Sequence, residues 1–147
     1  MDGETSFHCV EDVVSGETCC FFRGRDRTAV DDSYRSIEGE VDAWSHPELL
    51  QEIYSDIPAL EKVGAIFRFG IGAPPEFDQD YFEAFSIALR DENPMIRAAV
   101  VRTASYMEWP DLLRDLRTSA VNDSDMRVRG EARKVIEAFE RVGIRES

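Results

Sequence analysis

Residues 91–101 read DENPMIRAAVV, and residues 123–133 read DSDMRVRGEAR. The two stretches lie 32 positions apart, and each begins with an aspartate that is followed six residues later by an arginine, Arg97 or Arg129. Around each arginine, apolar residues recur at the spacing of one helix face. A period of this length is typical of stacked helical hairpins, because a single hairpin cannot bury its apolar face alone.

A first helix precedes each of these stretches. Asp78 can cap one such helix, and Pro110 suits the first turn of the other. The sequence therefore predicts two tandem hairpins, over residues 78–107 and 109–143.

The turn pattern resembles that of HEAT and armadillo-like repeats, including the subgroup called lyase-like, whose turn has the form D-x-[DN]-P-x-[VI]-R. The matching residues are Asp91, Asn93, Pro94, Ile96 and Arg97 in the first copy, and Asp123, Asp125, Val128, Arg129 and Ala132 in the second. The resemblance covers about residues 78–143. It implies an all-α fold, a short solenoid whose second helices line a concave binding surface. It says little about function, because such repeats serve as scaffolds, adaptors, lyases and DNA glycosylases.

The repeat pattern weakens towards the N-terminus. Residues 46–72 have the length and apolar spacing of another hairpin but no Asp/Arg signature, so we expect a degenerate first repeat in a repeat domain spanning 46–147. Residues 1–45 are expected to form an acidic segment packed on that repeat. Within it we expect a small β-hairpin that turns at Ser15-Gly16, or an irregular arm, followed by a helix or loose stretch.

Composition and charge narrow the class of protein. With 43% hydrophobic residues and no long apolar run, the sequence predicts a soluble globular protein without a membrane span. No secretory signal is visible and the three cysteines favour reduced thiols, so we expect a cytoplasmic protein. The formal net charge is −13, and residues 1–60 hold 14 acidic against 4 basic side chains. This field disfavours nucleic-acid partners and attracts basic proteins, but solubility or a compositional bias of the source is the explanation of the charge that we favour.

Chemical sites find little support in the sequence. His8, Cys9, Cys19 and Cys20 offer zinc-ligand types, but neighbours on a strand point to opposite faces, so we expect no metal site. Buried thiols and one surface histidine are the alternative that we favour. The carboxylates that could act in acid-base catalysis are better explained as helix caps and solvated faces; they are Glu61, Asp78, Asp80 and Glu83. We expect no catalytic site and no cofactor.

A weak basic stripe on the second helices is the best candidate for a binding surface. Arg102 and Lys134 occupy equivalent positions in the two copies, and Tyr106 and Arg133 lie beside them. Tyrosine and arginine are enriched in binding hot spots. We predict that these four residues contact a partner protein, with an ordinary solvated helix face as the alternative.

Two functions without catalysis are compatible with these observations. The first is an adaptor or scaffold that binds another protein, a basic one included, on the concave face. The second is an immunity-type or DNA-mimic protein whose acidic N-terminal part neutralises a basic partner such as a nuclease toxin. A lyase-like or DNA-glycosylase-type enzyme is a third and weaker alternative. DNA glycosylases of this type need a strongly basic concave face, whereas the repeat region has a net charge of −3, and the sequence shows no catalytic constellation.

The arginines of the repeated turns are predicted to be structural. Arg97 and Arg129 each follow an aspartate, Asp91 or Asp123, by six residues. We expect the arginine of one turn to bind carbonyls of its own turn and the aspartate of a neighbouring turn.

Overall fold

The computed structural model describes residues 5–146. The chain divides into two compact units, one that ends at Trp44 and one that begins at Ser45. It is mostly helical, and residues 5–146 contain seven α-helices and one two-stranded sheet. Within those residues, no helix combines the length and the apolar character that a membrane crossing requires.

The first unit contains an antiparallel β-hairpin. Strand β1 (Ser6–Glu11) pairs with β2 (Thr18–Arg23), and Cys9 lies opposite Cys20. The turn is closed by the Asp12 carboxylate, which accepts hydrogen bonds from the backbone N–H and the hydroxyl of Ser15, both at 2.7 Å. Gly16 follows with a φ of 73°, a left-handed conformation that favours glycine. The predicted small hairpin is therefore confirmed.

Helix α1 (Arg27–Ile37) follows the hairpin and begins at Asp26, whose side chain accepts a hydrogen bond from the backbone N–H of Thr28. None of residues 5–44 is buried. The prediction of buried thiols is wrong, because Cys9 and Cys20 are exposed and Cys19 is half-buried. The two-stranded sheet is small, and α1, which contacts β2, leaves side chains on both faces of it accessible.

The second unit consists of three helical hairpins. Their helices, in chain order, are α2 (His46–Tyr54), α3 (Ala59–Ile71), α4 (Gln79–Ala88), α5 (Pro94–Met107), α6 (Leu113–Asn122) and α7 (Met126–Arg141). Pro110 begins a single 3-10 turn, Pro110–Leu112, which leads into α6. The sequence predicts that this proline lies in the first turn of an α-helix, but the turn is of the tighter 3-10 type.

Short polar side chains define where most of these helices begin. Ser45 and Glu48 form a reciprocal capping box at α2. Asp78 accepts from the backbone N–H of Tyr81 at 3.1 Å and caps α4, as the sequence predicts. Asn93 caps α5 and is followed by a proline at the first helical position.

The second helices of the hairpins pack side by side in chain order, α3 on α5 and α5 on α7. The first helices complete the hairpins, with α2 packed on α3, α4 on α5 and α6 on α7. Gly70 shows how closely α3 approaches α5, because a Cβ at this position would lie 2.5 Å from the Cβ of Thr103. All the buried side chains of the described residues lie between Leu49 and Phe139, so this unit alone holds the core.

Candidate functional site

A groove crosses the second helices of the three hairpins and has a volume of about 630 Å³. Its floor comes from one equivalent position in each of them. Val63, Ala98 and Gly130 are the fifth residues of α3, α5 and α7, and all three line the groove. The side chain at this position therefore becomes smaller from α3 to α5 to α7.

A second equivalent position of each helix contributes one buried residue, Phe67, and two exposed cations at the rim of the groove. Phe67, Arg102 and Lys134 are the ninth residues of α3, α5 and α7, and all three line the groove. Arg102 and Lys134 are two of the four predicted contact residues. The groove is therefore apolar at Phe67, and around Lys134 it is charged, with the carboxylates of Asp125 and Glu131 beside the cations.

The two cations share one carboxylate, that of Glu131. Arg102 Nε lies 3.2 Å from Glu131 Oε2, and Lys134 Nζ lies 3.0 Å from Glu131 Oε1. The hydrogen bond from Lys134, assisted by the charge of Arg102, holds the pKa of Glu131 below its usual range. Glu131 is less exposed than either cation. It therefore positions both of them at the rim while their outer surfaces remain accessible.

Gly130 leaves the floor of the groove open. Nothing lies within 4 Å of the place where a Cβ would stand, so the packing of the protein does not require glycine there. Glycine inside a helix is less favourable than alanine by about 1 kcal/mol. The absent side chain thus costs stability and creates room in the groove.

The other two predicted contact residues do not line the groove. Tyr106 packs edge-on against Phe67, with ring centroids 6.5 Å apart. Arg133 donates a hydrogen bond to the carbonyl of Ala120 at 3.2 Å, at the end of α6. The structure thus brings Arg102 and Lys134 together through Glu131, a residue that our sequence prediction missed. The spacing of Glu131 and Lys134, three residues apart on one helix, is the signal that indicates it.

The predicted contact between neighbouring turns is present at Arg97. Its guanidinium donates to both carboxylate oxygens of Asp123, each at 2.9 Å. It also donates to the carbonyls of Asp91 and Glu92 in its own turn, at 2.8 and 3.0 Å. The hydrogen bonds from Arg97 hold the pKa of Asp123 below its usual range.

Arg129 repeats only part of this arrangement. It donates to the carbonyls of Asp123 and Ser124 in its own turn, at 2.6 and 3.2 Å. No described residue places a carboxylate against its remaining N–H groups.

The first hairpin has a turn of the same kind, which our sequence prediction missed. Lys62 is the fourth residue of α3, as Arg97 is of α5, and it donates to the carbonyls of Ile53 and Ser55 at the end of α2. Burial lowers the pKa of Lys62, and the nearby charge of Asp91 opposes this shift. An aspartate six residues before the lysine, Asp56, is the sequence signal that reveals the turn.

The β-hairpin carries a pair of thiols, Cys9 and Cys20. A hydrogen bond with the Cys9 thiol raises the pKa of Cys20 to about 11, so Cys20 is a protonated thiol at neutral pH. His8 stacks on Phe21, with ring centroids 5.2 Å apart. Within residues 5–146, no three histidine, cysteine or acidic side chains are grouped to hold a metal ion.

Comparisons with protein-family models, with curated proteins and with solved structures find no match to this chain.

Proposed function

We propose that residues 45–146 form a short HEAT-like solenoid without catalytic activity, which binds a segment of a partner protein in the groove of α3, α5 and α7. The observation that carries this proposal is the lining of the groove by the same helical positions of successive hairpins, the fifth and the ninth. Repeats that stack in register present equivalent side chains as one continuous surface. Such a surface suits an extended or helical segment that runs across the hairpins.

The chemistry of the groove indicates what that segment carries. Val63, Phe67 and Ala98 offer apolar contact area, which suits a small or medium apolar side chain above Gly130. Arg102 and Lys134 offer partly exposed cations at the rim, with side-chain exposures of 50% and 72%. We therefore propose a ligand with an apolar residue followed by a carboxylate that competes with Glu131 for these cations.

Selection from a displayed library of random peptides, followed by titration of the selected peptides into the protein, tests this proposal. We expect the peptides to share an apolar residue near an acidic one and to bind with moderate affinity. The double variant Arg102→Glu/Lys134→Glu should weaken that binding at least about tenfold, because it replaces attraction by repulsion. Arg114→Glu/Arg141→Glu is the matched control, since it changes the net charge equally away from the groove.

A second variant separates binding from folding. Gly130→Phe puts a ring into space that the protein leaves empty, so the fold should persist while the groove is blocked. Circular dichroism and thermal melting establish that each variant is folded. If the selected peptides bind both groove variants as tightly as they bind the original protein, the groove is not the binding site.

The exposed acidity of the N-terminal part favours a second candidate, the neutralisation of a basic partner. Asp31, Asp32, Glu38, Glu40 and Asp42 are all exposed. A mimic of phosphate charge binds its partner through long-range attraction, so its complex weakens sharply as salt is added. Reversal of these five charges should then abolish capture of a basic nuclease domain at low salt. Unchanged capture would exclude this candidate.

A further inference from the structure

The three hairpin turns carry the same pair of charges at the same positions. Each has an acid two residues before the residue that caps the second helix, and a cation at the fourth position of that helix. The pairs are Asp56 and Lys62, Asp91 and Arg97, and Asp123 and Arg129.

Within the chain, the cation of one turn acts on the acid of the next turn. Arg97 binds Asp123 through two hydrogen bonds. The charge of Asp91 acts on Lys62 without a hydrogen bond, and the charge of Asp56 in the same turn acts on Lys62 less strongly. This series leaves one acid and one cation over, Asp56 in the first turn and Arg129 in the last.

Arg129 is held ready for a carboxylate. Its Nη1 is fixed by the carbonyls of Asp123 and Ser124, just as Nη1 of Arg97 is fixed by two carbonyls of its own turn. In Arg97 the other edge of the guanidinium holds Asp123. A guanidinium group whose orientation is already fixed loses little side-chain entropy when it binds a carboxylate.

Asp56 is the acid at the opposite end of the series, and none of the described residues holds its carboxylate in an ion pair. It is exposed, and it accepts no hydrogen bond from a described residue. Asp91 and Asp123 each accept from the backbone N–H two residues later, at 2.8 Å, but the equivalent residue after Asp56 is Pro58, which has no N–H to donate. Both oxygens of Asp56 are therefore open to an external donor.

The last hairpin replaces buried side chains by exposed arginines at equivalent positions. An arginine of the last hairpin stands 32 residues after each of three apolar residues of the middle hairpin. The pairs are Phe82 and Arg114, Phe85 and Arg117, and Val101 and Arg133. Phe85 and Val101 are buried and Phe82 is half-buried, whereas the three arginines are exposed. Val121, the counterpart of the half-buried Leu89, is exposed as well. Arg117 forms an ion pair with Glu146, whereas Arg114 and Arg133 have no carboxylate partner among the described residues. This end of the unit thus carries exposed cations around a small apolar patch, which suits an acidic surface.

We propose that copies of this chain associate head to tail, with Arg129 of one copy binding Asp56 of the next as Arg97 binds Asp123. The chain supplies both missing members of the series, at the spacing that the turns already use. The contact is heterologous, so it leaves a free Arg129 and a free Asp56 at the two ends of every assembly and does not close.

Sedimentation velocity over a wide concentration series tests this proposal. About 0.15 M salt is suitable, because it screens the repulsion of the net charge of −13 beyond about 8 Å while a contact pair is screened less. We expect the mean mass to rise with concentration past twice the chain's 16.7 kDa, without a plateau. Asp56→Asn and Arg129→Gln should each weaken association about tenfold or more.

Mixing the two variants gives the sharpest outcome. The Asp56→Asn variant keeps Arg129 and the Arg129→Gln variant keeps Asp56, so an equimolar mixture should form a dimer that does not grow further. Glu61→Gln and Arg127→Gln are the matched controls, because each neutralises an exposed charge near one of the two sites. They should associate like the original protein.

Three results would overturn the proposal. They are a protein that stays monomeric throughout the series, variants that associate as strongly as the controls, and a mixture that stays monomeric while the original protein associates. A melting curve shows whether the Arg129→Gln variant stays folded without the turn contacts of the arginine. If it unfolds, Asp56→Asn decides alone, because Asp56 is exposed and makes no side-chain hydrogen bond with the described residues.

Discussion

Arg97 and Arg129 occupy the same position of the same kind of turn, yet their surroundings differ. Both donate to two carbonyls of their own turn. Only Arg97 also binds a carboxylate, that of Asp123, and this pair is nearly buried, with side-chain exposures of 11% and 8%. The sequence motif therefore specifies the local cap, whereas a buried ion pair requires a further hairpin beside it.

The difference has an energetic consequence. Removal of one member of a buried pair leaves the other charge without compensation, at a cost of several kcal/mol. Removal of a cation that only caps exposed carbonyls costs far less, because water replaces it. Two residues that are equivalent in the repeat should therefore differ widely in their contribution to stability.

The largest effect is expected for Arg97→Ala. This change leaves the Asp123 carboxylate without its donor and exposes two turn carbonyls, so the free energy of unfolding should fall by about 3–5 kcal/mol. Urea denaturation measures it. Arg127→Ala, with a side chain that is 84% exposed, should change it by less than about 0.5 kcal/mol. Equal effects of the two substitutions would contradict the structural role of Arg97.

A smaller and pH-dependent effect is expected for Asp123→Asn. At neutral pH it should cost about 2–3 kcal/mol, because the charge of Arg97 loses its partner. The pKa of Asp123 lies below its unfolded value of about 3.9. The stabilisation by the carboxylate is thus fully present above about pH 4 and is lost as the pH falls through the lowered pKa.

Denaturation of both proteins between neutral pH and about pH 3 measures this dependence. The difference between the original protein and the Asp123→Asn variant should shrink below about pH 4. If the difference in the free energy of unfolding between the two proteins stays constant over this range, the charge of the Asp123 carboxylate does not stabilise the contact between the two turns.

The smallest effect is expected for Arg129→Ala. It removes hydrogen bonds to two carbonyls at a partly exposed turn, so unfolding should become easier by only about 1 kcal/mol. The same urea experiment measures it beside Arg97→Ala. A loss as large as that of Arg97→Ala in the monomer would indicate a carboxylate partner within the chain and would remove the contrast between the two turns.

Much of the helical unit could be predicted from its sequence. The period of 32 residues, the cap at Asp78, the turn pattern that contains Asn93 and Pro94, and the apolar spacing locate α4 to α7 to within a few residues. The contact of Arg97 with Asp123 could be anticipated as well, because the motif repeats in register. The first hairpin was recognised only as degenerate, since Lys62 replaces arginine and Pro58 replaces the usual cap.

The groove could be predicted only in part. Arg102 and Lys134 were proposed as contact residues from their equivalent positions, and both line the groove. Tyr106 and Arg133 lie next to them in sequence, but successive residues of a helix point about 100° apart, so neighbours in the sequence need not share a face. The accessibility of the cysteines was also missed, because a two-stranded sheet and one short helix do not enclose enough volume to bury them.

The sequence by itself determined much of the local structure: the helices, the cap at Asp78, the turn at Ser15-Gly16 and the charged pairs of the second and third hairpin turns. These features depend on contacts between residues a few positions apart, which a linear pattern records. Only the tertiary structure decided which equivalent residues differ in environment. Arg97 is buried against a carboxylate and Arg129 is left open, because burial depends on whether another hairpin packs beside the turn, and the motif of the turn does not contain that information.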